Sequence, residues 1–298
     1  MNLHIKKILV PTDFSETGML AIEHGAMLAR LTKAEMILVH VLSLNPYYFE
    51  IPDNFMLIEN WDEMHKLLKQ RLTDEAQKIN LGDGILPRCI ITTGRAAHEI
   101  MRIAQEEKTD LIIMGTHGAK GFEELFLGSN AHKVVNLASC PVITIQTHAK
   151  KIGFSNIVLP IDRSLHSREK VGVAIDLARI YKGKIRILGL LENSESGEYD
   201  KLQIVLDQVQ SVIEKAGVDF TRHTVKGDYL AAEALKYGNS INADLIIIMT
   251  EHESKLTGLF MGPLAKQIVN HSRIPVMSIK PHYGTFESLD LTGAYTFY

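Results

Sequence analysis

Residues 110–118 read Asp-Leu-Ile-Ile-Met-Gly-Thr-His-Gly, and after nine more residues the chain continues with Gly128-Ser129-Asn130. The apolar run 111–114 predicts a buried strand, and the residues from Ala131 onward are typical of a helix. Glycines just past a strand let the backbone approach a ligand where any side chain would block it. A Gly-Ser-Asn sequence at the start of a helix offers backbone N–H groups and a hydroxyl donor to an anion. The stretch therefore predicts a phosphate cradle between a strand and a helix.

Two common phosphate-binding motifs do not fit this loop. A P-loop requires Gly, four residues and then Gly-Lys-Ser/Thr, and no lysine follows Gly128. The dinucleotide motif is excluded because Gly115 and Gly118 are separated by two residues and the next glycines do not fit. Taken alone, the loop also fits a flexible connection between a strand and a helix that binds nothing.

The start of the chain carries a second signal. Residues 6–15 read Lys-Lys-Ile-Leu-Val-Pro-Thr-Asp-Phe-Ser, an apolar strand that ends at Pro11 and is followed by a polar turn. Asp13 then stands at the carboxyl end of the first strand, where ligands bind in open α/β sheets, and could accept a hydrogen bond from an adenine amino group. The alternative is a helix N-cap, for which Thr12, Asp13 and Ser15 are all suitable.

Together these features resemble the universal stress protein family, and within it the ATP-binding branch. That family's signature is Gly, two residues, Gly, nine residues and Gly-Ser/Thr, which Gly115, Gly118, Gly128 and Ser129 match without a gap. The opening strand and the second apolar run, Met36-Ile37-Leu38-Val39-His40-Val41, also resemble it. The resemblance spans residues 3–146.

The resemblance implies an α/β fold, Rossmann-like and of the adenine nucleotide alpha hydrolase type, with a five-stranded parallel sheet and helices on both faces. ATP, accompanied by Mg²⁺, would lie across the strand ends, with Asp13 and the Val41 backbone beside adenine and ribose. His117 could donate to the phosphates or be a solvated loop residue. The residues that the resemblance assigns to ATP are Pro11, Thr12, Asp13, Val41, Met114, Gly115, His117, Gly118, Gly128, Ser129, Asn130 and Ala131.

The chain repeats itself. Residues 157–164 restate residues 8–15, residues 243–249 restate the strand ending at Met114, and residues 274–279 restate residues 140–145. The length of 298 residues also predicts about two domains. We expect a tandem arrangement, each half an open five-stranded parallel sheet. The predicted divisions are 1–148 with the intact motif, 152–281 with a degenerate motif, and a C-terminal tail, 282–298.

The second copy of the loop has lost the signature. Aligned on Met249, Thr250 replaces the first glycine, Glu253 the second and Pro263 the serine, and the loop is one residue shorter. Pro263 removes both a hydroxyl and a backbone N–H, and a carboxylate at Glu251 or Glu253 would repel a triphosphate. We therefore expect that the second half does not bind ATP in the family's manner, and that Asp162 does little more than cap the next helix.

Alternating apolar runs and helical patterns predict βαβ units in both halves. Strands are predicted near 6–11, 36–42, 86–92, 110–115, 141–146, 156–161, 184–190, 218–225, 244–249 and 275–280. Helices of the first half are predicted near 16–32, 59–80, 96–107 and 129–138. The aromatic segment 43–60 is interpreted as a lid over the nucleotide, a contact with a partner, or local core packing.

Composition narrows the class of protein. A net charge of −3 provides no basic field for nucleic acid, and no apolar run approaches the length of a membrane helix. Cys89 and Cys140 are expected to be reduced, buried and structural, as in a cytoplasmic protein. The thirteen histidines are scattered without metal-ligand spacing, although His117 and His252 occupy matching loops and could meet across a pseudo-twofold axis.

The sequence provides no obvious machinery for hydrolysis. The loop carries no Walker lysine, no evident arginine finger and no residue suited to position water. We expect a stress-response regulatory protein that binds ATP in its first half with slow or no hydrolysis, while the second half serves in pairing or contact with a partner. The alternatives are a slow ATPase or phosphate-transferring enzyme, a nucleotide-free scaffold, and a sensor of AMP or ADP. The last strands of the two halves are expected to pair, so that a monomer could suffice, and a homodimer stays possible.

Overall fold

The computed structural model describes residues 3–43, 61–116, 128–164, 166–192, 197–250 and 261–281. Within these ranges no helix combines the length and the apolar character needed to cross a membrane. Of the segment 43–60, interpreted above as a lid, a contact with a partner or local core packing, residues 44–60 lie outside the described residues, as does the tail 282–298.

The first half alternates strands and helices as the sequence predicts, with bounds that differ by at most three residues. Its strands are β1 (Lys7–Pro11), β2 (Glu35–Leu42), β3 (Arg88–Thr93), β4 (Leu111–Gly115) and β5 (Val142–Ile145). Its helices are α1 (Glu16–Thr32), α2 (Trp61–Gln77), α3 (Ala96–Glu106) and α4 (Ser129–Leu137).

The second half repeats this order with one difference. Its strands are β6 (Asn156–Ile161), β7 (Lys184–Leu191), β8 (Asp219–Lys226), β9 (Leu245–Met249) and β10 (Val276–Ile279). Its helices are α5 (Val171–Ile180), α6 (Glu198–Lys215), α7 (Leu230–Ser240) and α8 (Pro263–His271). A short 3₁₀ turn, His166–Arg168, stands between β6 and α5, where the first half already has α-helix.

The ten strands form one sheet in the order β3-β2-β1-β4-β5-β10-β9-β6-β7-β8. Every pairing within a half is parallel, and β5 and β10 join the two halves by antiparallel pairing, with Ile143 opposite Met277. The predicted α/β fold with two tandem halves is therefore confirmed, and so is the expected pairing of the two last strands. The last strand of each half covers the free edge of the other half's sheet, so neither β5 nor β10 is an exposed edge strand.

Strand residues alternate between the two faces of the sheet, as the period of two requires. On one face, α1, α2, α5 and α6 cover a single apolar core that runs through both halves. On the other face there are two separate cores, one beneath α3 and α4 and one beneath α7 and α8. Met261, just before α8, packs against both of these smaller cores and so links the two halves on this face.

The connection between the halves is tightly held. Asp244, at the start of β9, accepts hydrogen bonds from Lys151 Nζ at 2.8 Å and from the backbone N–H groups of Ser155 and Asn156 at 3.1 and 3.0 Å. On the other side, the buried ring of His24 in α1 lies with Nε2 3.2 Å from the carbonyl of Ala149. The connection is therefore part of the packed structure and not a free linker.

The two cysteines are free thiols, but both are only partly buried, so the expectation that they are buried residues is wrong. Cys89 lies in β3 and Cys140 just before β5, at positions where part of each residue reaches the surface. Burial raises the pKa of the Cys140 thiol to about 12 and shifts the pKa of Cys89 in the same direction. Both therefore stay protonated near neutral pH.

Candidate functional site

The site predicted in the first half lies at the carboxyl edge of the sheet, where β1, β2 and β4 end. Pro11 closes β1, and the buried Thr12 continues its course, because Thr12 N donates to Val39 O at 2.8 Å. Val41, near the end of β2, is half-buried and pairs with Thr92 of β3. Strand geometry thus brings the residues that the resemblance assigns to adenine and ribose to one edge of the sheet.

The turn after β1 separates the two interpretations of Asp13. Ser15 is the N-cap of α1, and its side chain accepts a hydrogen bond from Gly18 N at 3.2 Å. Asp13 is not the cap. Its carboxylate, on an exposed residue, accepts from the backbone N–H of Ser15 at 3.1 Å, which fixes its position beside the strand end.

Phe14, His40 and Arg71 support this turn, and the sequence did not predict them as part of the site. Phe14 takes a left-handed conformation with φ of 62°, and its ring lies 4.7 Å from that of His40. His40 Nδ1 lies 2.8 Å from the carbonyl of Thr12, and the guanidinium of Arg71 lies 4.2 Å from the centre of the Phe14 ring. Helix α2 and strand β2 thereby support the turn that carries Asp13.

Gly115 has a structural role that does not depend on a ligand. A Cβ at this position would lie 2.7 Å from Thr17 Oγ1 and 2.9 Å from the backbone carbonyl carbon of Thr17. Only glycine allows α1 to pack this closely against the end of β4. Met114, one residue earlier, is buried in the core, so its side chain faces away from any ligand in solvent.

The C-terminal end of the glycine-rich loop lies beside the end of β4. Gly128 N donates to the carbonyl of Thr116 at 2.8 Å, directly past β4. Helix α4 then begins at Ser129, and among the described residues no side chain caps it. Ser129 and Asn130 are exposed, whereas Ala131 is buried in the core. The start of α4 therefore presents N–H groups at the edge that carries Asp13, while His117 and Gly118 lie outside the described residues.

Backbone pairing shows which residues of the two halves are equivalent. Gly115 pairs with Ile145, and Met249 pairs with Ile279, which occupies the position of Ile145 in the repeat. Met249 therefore takes the place of Gly115.

This register corrects the sequence alignment of the second loop. Thr250 is equivalent to Thr116, because each donates its backbone N–H to the carbonyl that ends the neighbouring strand, at 2.8 and 3.0 Å. Thr250 does not replace the first glycine, and the loop is not shorter, since Gly262 follows Met249 at the interval at which Gly128 follows Gly115.

By the same count, the position of Gly118 falls on His252 and not on Glu253 in the sequence. Glu251, His252 and Glu253 lie outside the described residues, as does the suggested meeting of His117 and His252. The replacement of Ser129 by Pro263 is confirmed, because each is the first residue of its helix.

The second half retains the turn after its first strand but not the helix start. Asp162 Oδ1 accepts from the backbone N–H and the hydroxyl of Ser164 at 2.9 and 2.7 Å, as Asp13 does with Ser15. Asp162 does not cap the next helix, because α5 begins only at Val171. The later start of α5 leaves space for the Met249 side chain, which stands where Gly115 meets the first turn of α1 in the first half.

One further polar cluster lies at the carboxyl end of β3. Thr92 Oγ1 donates to Glu99 at 2.9 Å, and Arg102 donates to the same carboxylate at 2.8 Å. The bonds from Arg102 hold the pKa of Glu99 below its usual value. In the described ranges no group of three or more His, Cys, Asp or Glu residues is arranged to hold a metal ion.

Comparison with known proteins agrees with this architecture. The family model described as "Universal stress protein family" matches residues 4–146 and again residues 153–280. Universal stress protein MJ0577 of Methanocaldococcus jannaschii is 35% identical over 160 residues, which cover 49% of this chain and 98% of that protein. Universal stress protein YxiE of Bacillus subtilis is 30% identical over 151 residues, covering 47% of this chain and 98% of its own.

Two solved structures share the whole fold. A universal stress protein from Archaeoglobus fulgidus superposes with a TM-score of 0.74 at 22% identity, covering 92% of this chain and 98% of its own. Protein PA1789 of Pseudomonas aeruginosa superposes with a TM-score of 0.64 at 16% identity, covering 93% of each chain. With the family model matching twice, this chain belongs to the universal stress protein family and carries its domain in tandem.

Proposed function

We propose that this protein binds Mg-ATP in its first half and acts as a nucleotide-dependent regulator of the stress-response type, with slow or no hydrolysis. Many members of the family bind adenine nucleotides. The observation that carries the proposal is the bond from Gly128 N to the carbonyl of Thr116, which holds the uncapped start of α4 at the sheet edge that carries Asp13. An acceptor for adenine and donors for phosphates then share one edge of the sheet.

The residues proposed to hold the nucleotide divide into two groups. The exposed carboxylate of Asp13 accepts from the adenine amino group, and the backbone of Val41 contacts adenine or ribose. The exposed Ser129 and Asn130 and the first N–H groups of α4 bind the phosphates, with Mg²⁺ held mainly by phosphate oxygens. The buried Ala131 contributes only its backbone.

A variant copied from the second half tests the proposal. Ser129→Pro introduces the residue that begins α8, and proline is well tolerated at the first position of a helix. Gly128 has φ of −57° and ψ of 148°, close to the −60° and 159° of Gly262, so the backbone already suits a following proline. The variant should keep its melting temperature but lose a backbone N–H and a hydroxyl.

We expect Ser129→Pro to weaken Mg-ATP binding by about a hundredfold or more, as measured by equilibrium dialysis, because it loses two donors and each hydrogen bond to a charged group contributes roughly 1.5–3 kcal/mol. Ser129→Ala, which removes the hydroxyl alone, should weaken it less. ATP turnover measured in the same samples should be slow or absent. Unchanged affinity in Ser129→Pro would refute the phosphate site, and rapid turnover would refute the regulatory assignment.

A further inference from the structure

The turn that carries Asp13 is held on both sides of that residue. On the N-terminal side, the carbonyl of Thr12 lies 2.8 Å from His40 Nδ1. Because a carbonyl oxygen only accepts hydrogen bonds, Nδ1 is the nitrogen that carries a proton and donates it. On the C-terminal side, the backbone N–H of Phe14 donates to the hydroxyl of Thr12 at 3.0 Å. Both peptide groups that flank Asp13 are therefore fixed.

The side chain of Phe14 provides a third support. Phe14 has φ of 62°, a conformation that is uncommon for a bulky residue and that neighbouring contacts must hold in place. Its half-buried ring lies 4.7 Å from the ring of His40, and the guanidinium of Arg71 lies 4.2 Å from its centre. His40 therefore contacts the turn twice, through its N–H donor and through its ring.

The second half keeps the same turn without these supports. Asp162 accepts from both the backbone N–H and the hydroxyl of Ser164, which are the bonds that Asp13 makes with Ser15. Strand register and chain order show that the three supporting residues are replaced, with Ile161 for Thr12, Arg163 for Phe14 and Gly189 for His40. The turn therefore forms from its own Asp and Ser, and the supports are not needed to fold it.

The space that the His40 ring takes in the first half is filled in the second. A Cβ at Gly189 would lie 2.8 Å from Leu206 Cδ1 and 3.0 Å from Thr224 Oγ1, so α6 closes over this position. The half whose loop has lost the glycine signature has therefore also lost this ring and its donor. The comparison links His40 to the use of the carboxylate and not to the formation of the turn.

A carboxylate in a fixed place can distinguish purine bases. Adenine has an amino donor at C6 and an acceptor at N1, whereas hypoxanthine has a carbonyl acceptor at C6 and an N–H donor at N1. A carboxylate held opposite the C6 amino group of adenine is repelled by the C6 carbonyl of hypoxanthine. A carboxylate that is free to shift to the neighbouring ring position accepts from N1–H instead, and the distinction is lost.

We propose that His40 is a positioning residue that makes the site in the first half select adenine over bases with a carbonyl at C6. Through the carbonyl of Thr12 and the ring of Phe14, it holds the Asp13 carboxylate opposite the amino group of adenine. The inference rests on the proposed binding of Mg-ATP in the first half, and it involves no covalent step.

The test compares Mg-ATP with the magnesium complex of inosine triphosphate, which differs only in the base, by titration calorimetry of the full chain. A loss of fold or of phosphate contacts weakens both nucleotides alike, so the ratio of their dissociation constants reports recognition of the base. His40→Leu removes the donor at similar size, and His40→Asn keeps an N–H donor near the place of Nδ1. His223→Leu, at an exposed histidine in β8, is the matched control.

We expect the wild type to prefer ATP by at least about tenfold, because the wrong base loses a hydrogen bond to a charged group. The preference should fall to about threefold or less in His40→Leu, be partly retained in His40→Asn and stay unchanged in His223→Leu. Phe14→Arg keeps the proposal testable if His40→Leu does not fold, since the second half accommodates arginine at this position. It should lower the preference as well.

Three results would overturn the proposal and leave the Mg-ATP site in place. These are equal affinity of the wild type for the two nucleotides, an unchanged preference in His40→Leu or Phe14→Arg, and an equal loss in His40→Asn and His40→Leu. Failure of the wild type to bind Mg-ATP at all would instead refute the proposed function on which the inference rests.

Discussion

Close contacts with α1 restrict the residue at position 115 to glycine. The space that its missing side chain leaves is occupied by Thr17, so glycine is required there for the packing of α1 on β4 before any ligand is considered. In the second half a methionine is accommodated at the equivalent position because the helix begins later. The two halves therefore differ in two linked features: the second has methionine in place of this glycine, and its helix begins later.

Gly115→Ala should destabilise the fold by about 1–3 kcal/mol, because a Cβ 2.9 Å from the Thr17 backbone forces α1 or β4 to shift. Chemical denaturation of the full chain measures the change. Gly227→Ala is the matched control, since the nearest atom to its Cβ would be Glu233 Cγ at an ordinary 3.5 Å. Equal free energies of unfolding for wild type and Gly115→Ala would contradict this packing.

His24 provides a prediction of pH dependence. Burial lowers the pKa of its ring, which stacks on Phe154 at 5.0 Å and lies 3.2 Å from the carbonyl of Ala149. The unfolded chain then binds the proton more readily than the folded chain. The stability associated with neutral His24 is therefore present above its ordinary pKa of about 6.5 and is lost as the pH falls below that value.

Compared with His24→Gln, the wild type should lose free energy of unfolding more steeply between about pH 7 and 5. Denaturant titrations of the two proteins at each pH measure the difference, and effects of the other histidines cancel in it. Parallel pH profiles would show that His24 is not protonated differently in the folded and unfolded chains.

Some residues of the candidate sites could be predicted from the sequence and others could not. Asp13, Gly128 and Ser129 could be placed at strand and helix ends because their neighbours carry clear periodic patterns. Lys170 could not, since a lysine at a helix start usually points to solvent, whereas this one is only 4% exposed at the position that the buried Ala21 takes in the first half. The one-residue error at Thr250 arose because the matching apolar runs end in methionine at different positions, a difference that only strand pairing resolves.

At the scale of elements, each half uses a carboxylate to join its central strands. Asp110 accepts hydrogen bonds from the backbone N–H groups of Lys6 and Lys7, both at 2.8 Å. Asp244 does the same for Ser155 and Asn156 at the start of β6. The second copy is more deeply buried, and it also receives the ammonium of Lys151, which ties the connection between the halves to β9.

Asp244→Ala should therefore destabilise the chain by about 3 kcal/mol, since it removes a buried acceptor from several hydrogen bonds and leaves two partly buried N–H groups without an acceptor. Asp110→Ala, at a less buried residue, should cost less, about 1–2 kcal/mol. Lys151→Ala should cost at most about 1 kcal/mol, because the lysine side chain is 69% exposed. Chemical denaturation ranks the three variants, and a larger effect for Lys151→Ala than for Asp244→Ala would contradict this assignment.

At the scale of the whole molecule, the antiparallel pairing of β5 with β10 makes one sheet from two halves. The order of elements, the repeat and this pairing were predictable, because alternating apolar runs and helices leave few topologies for a parallel sheet. The division of the cores was not, since one core continues through both halves and the other face is split. That asymmetry depends on how α1, α5 and the connection pack together, which no local pattern encodes.

The pairing of β5 with β10 leads to a prediction about a single half expressed alone. Curated relatives such as MJ0577 match about half of this chain over 98% of their own length, so a single half has the size of a known protein. Residues 1–150 expressed alone should form dimers through β5, because the edge that β10 covers in the full chain becomes exposed. Light scattering after size-exclusion chromatography measures the mass, and a folded monomer at high concentration would contradict the expectation.

The central claim is that one chain contains one nucleotide site, in the first half. Isothermal titration of the nucleotide-stripped full chain with Mg-ATP tests it most directly, because it counts sites as well as measuring affinity. We expect one site per chain in the wild type, unchanged in number and affinity in Pro263→Ser and greatly weakened in Ser129→Pro. Two sites per chain, or full binding by Ser129→Pro, would contradict the account.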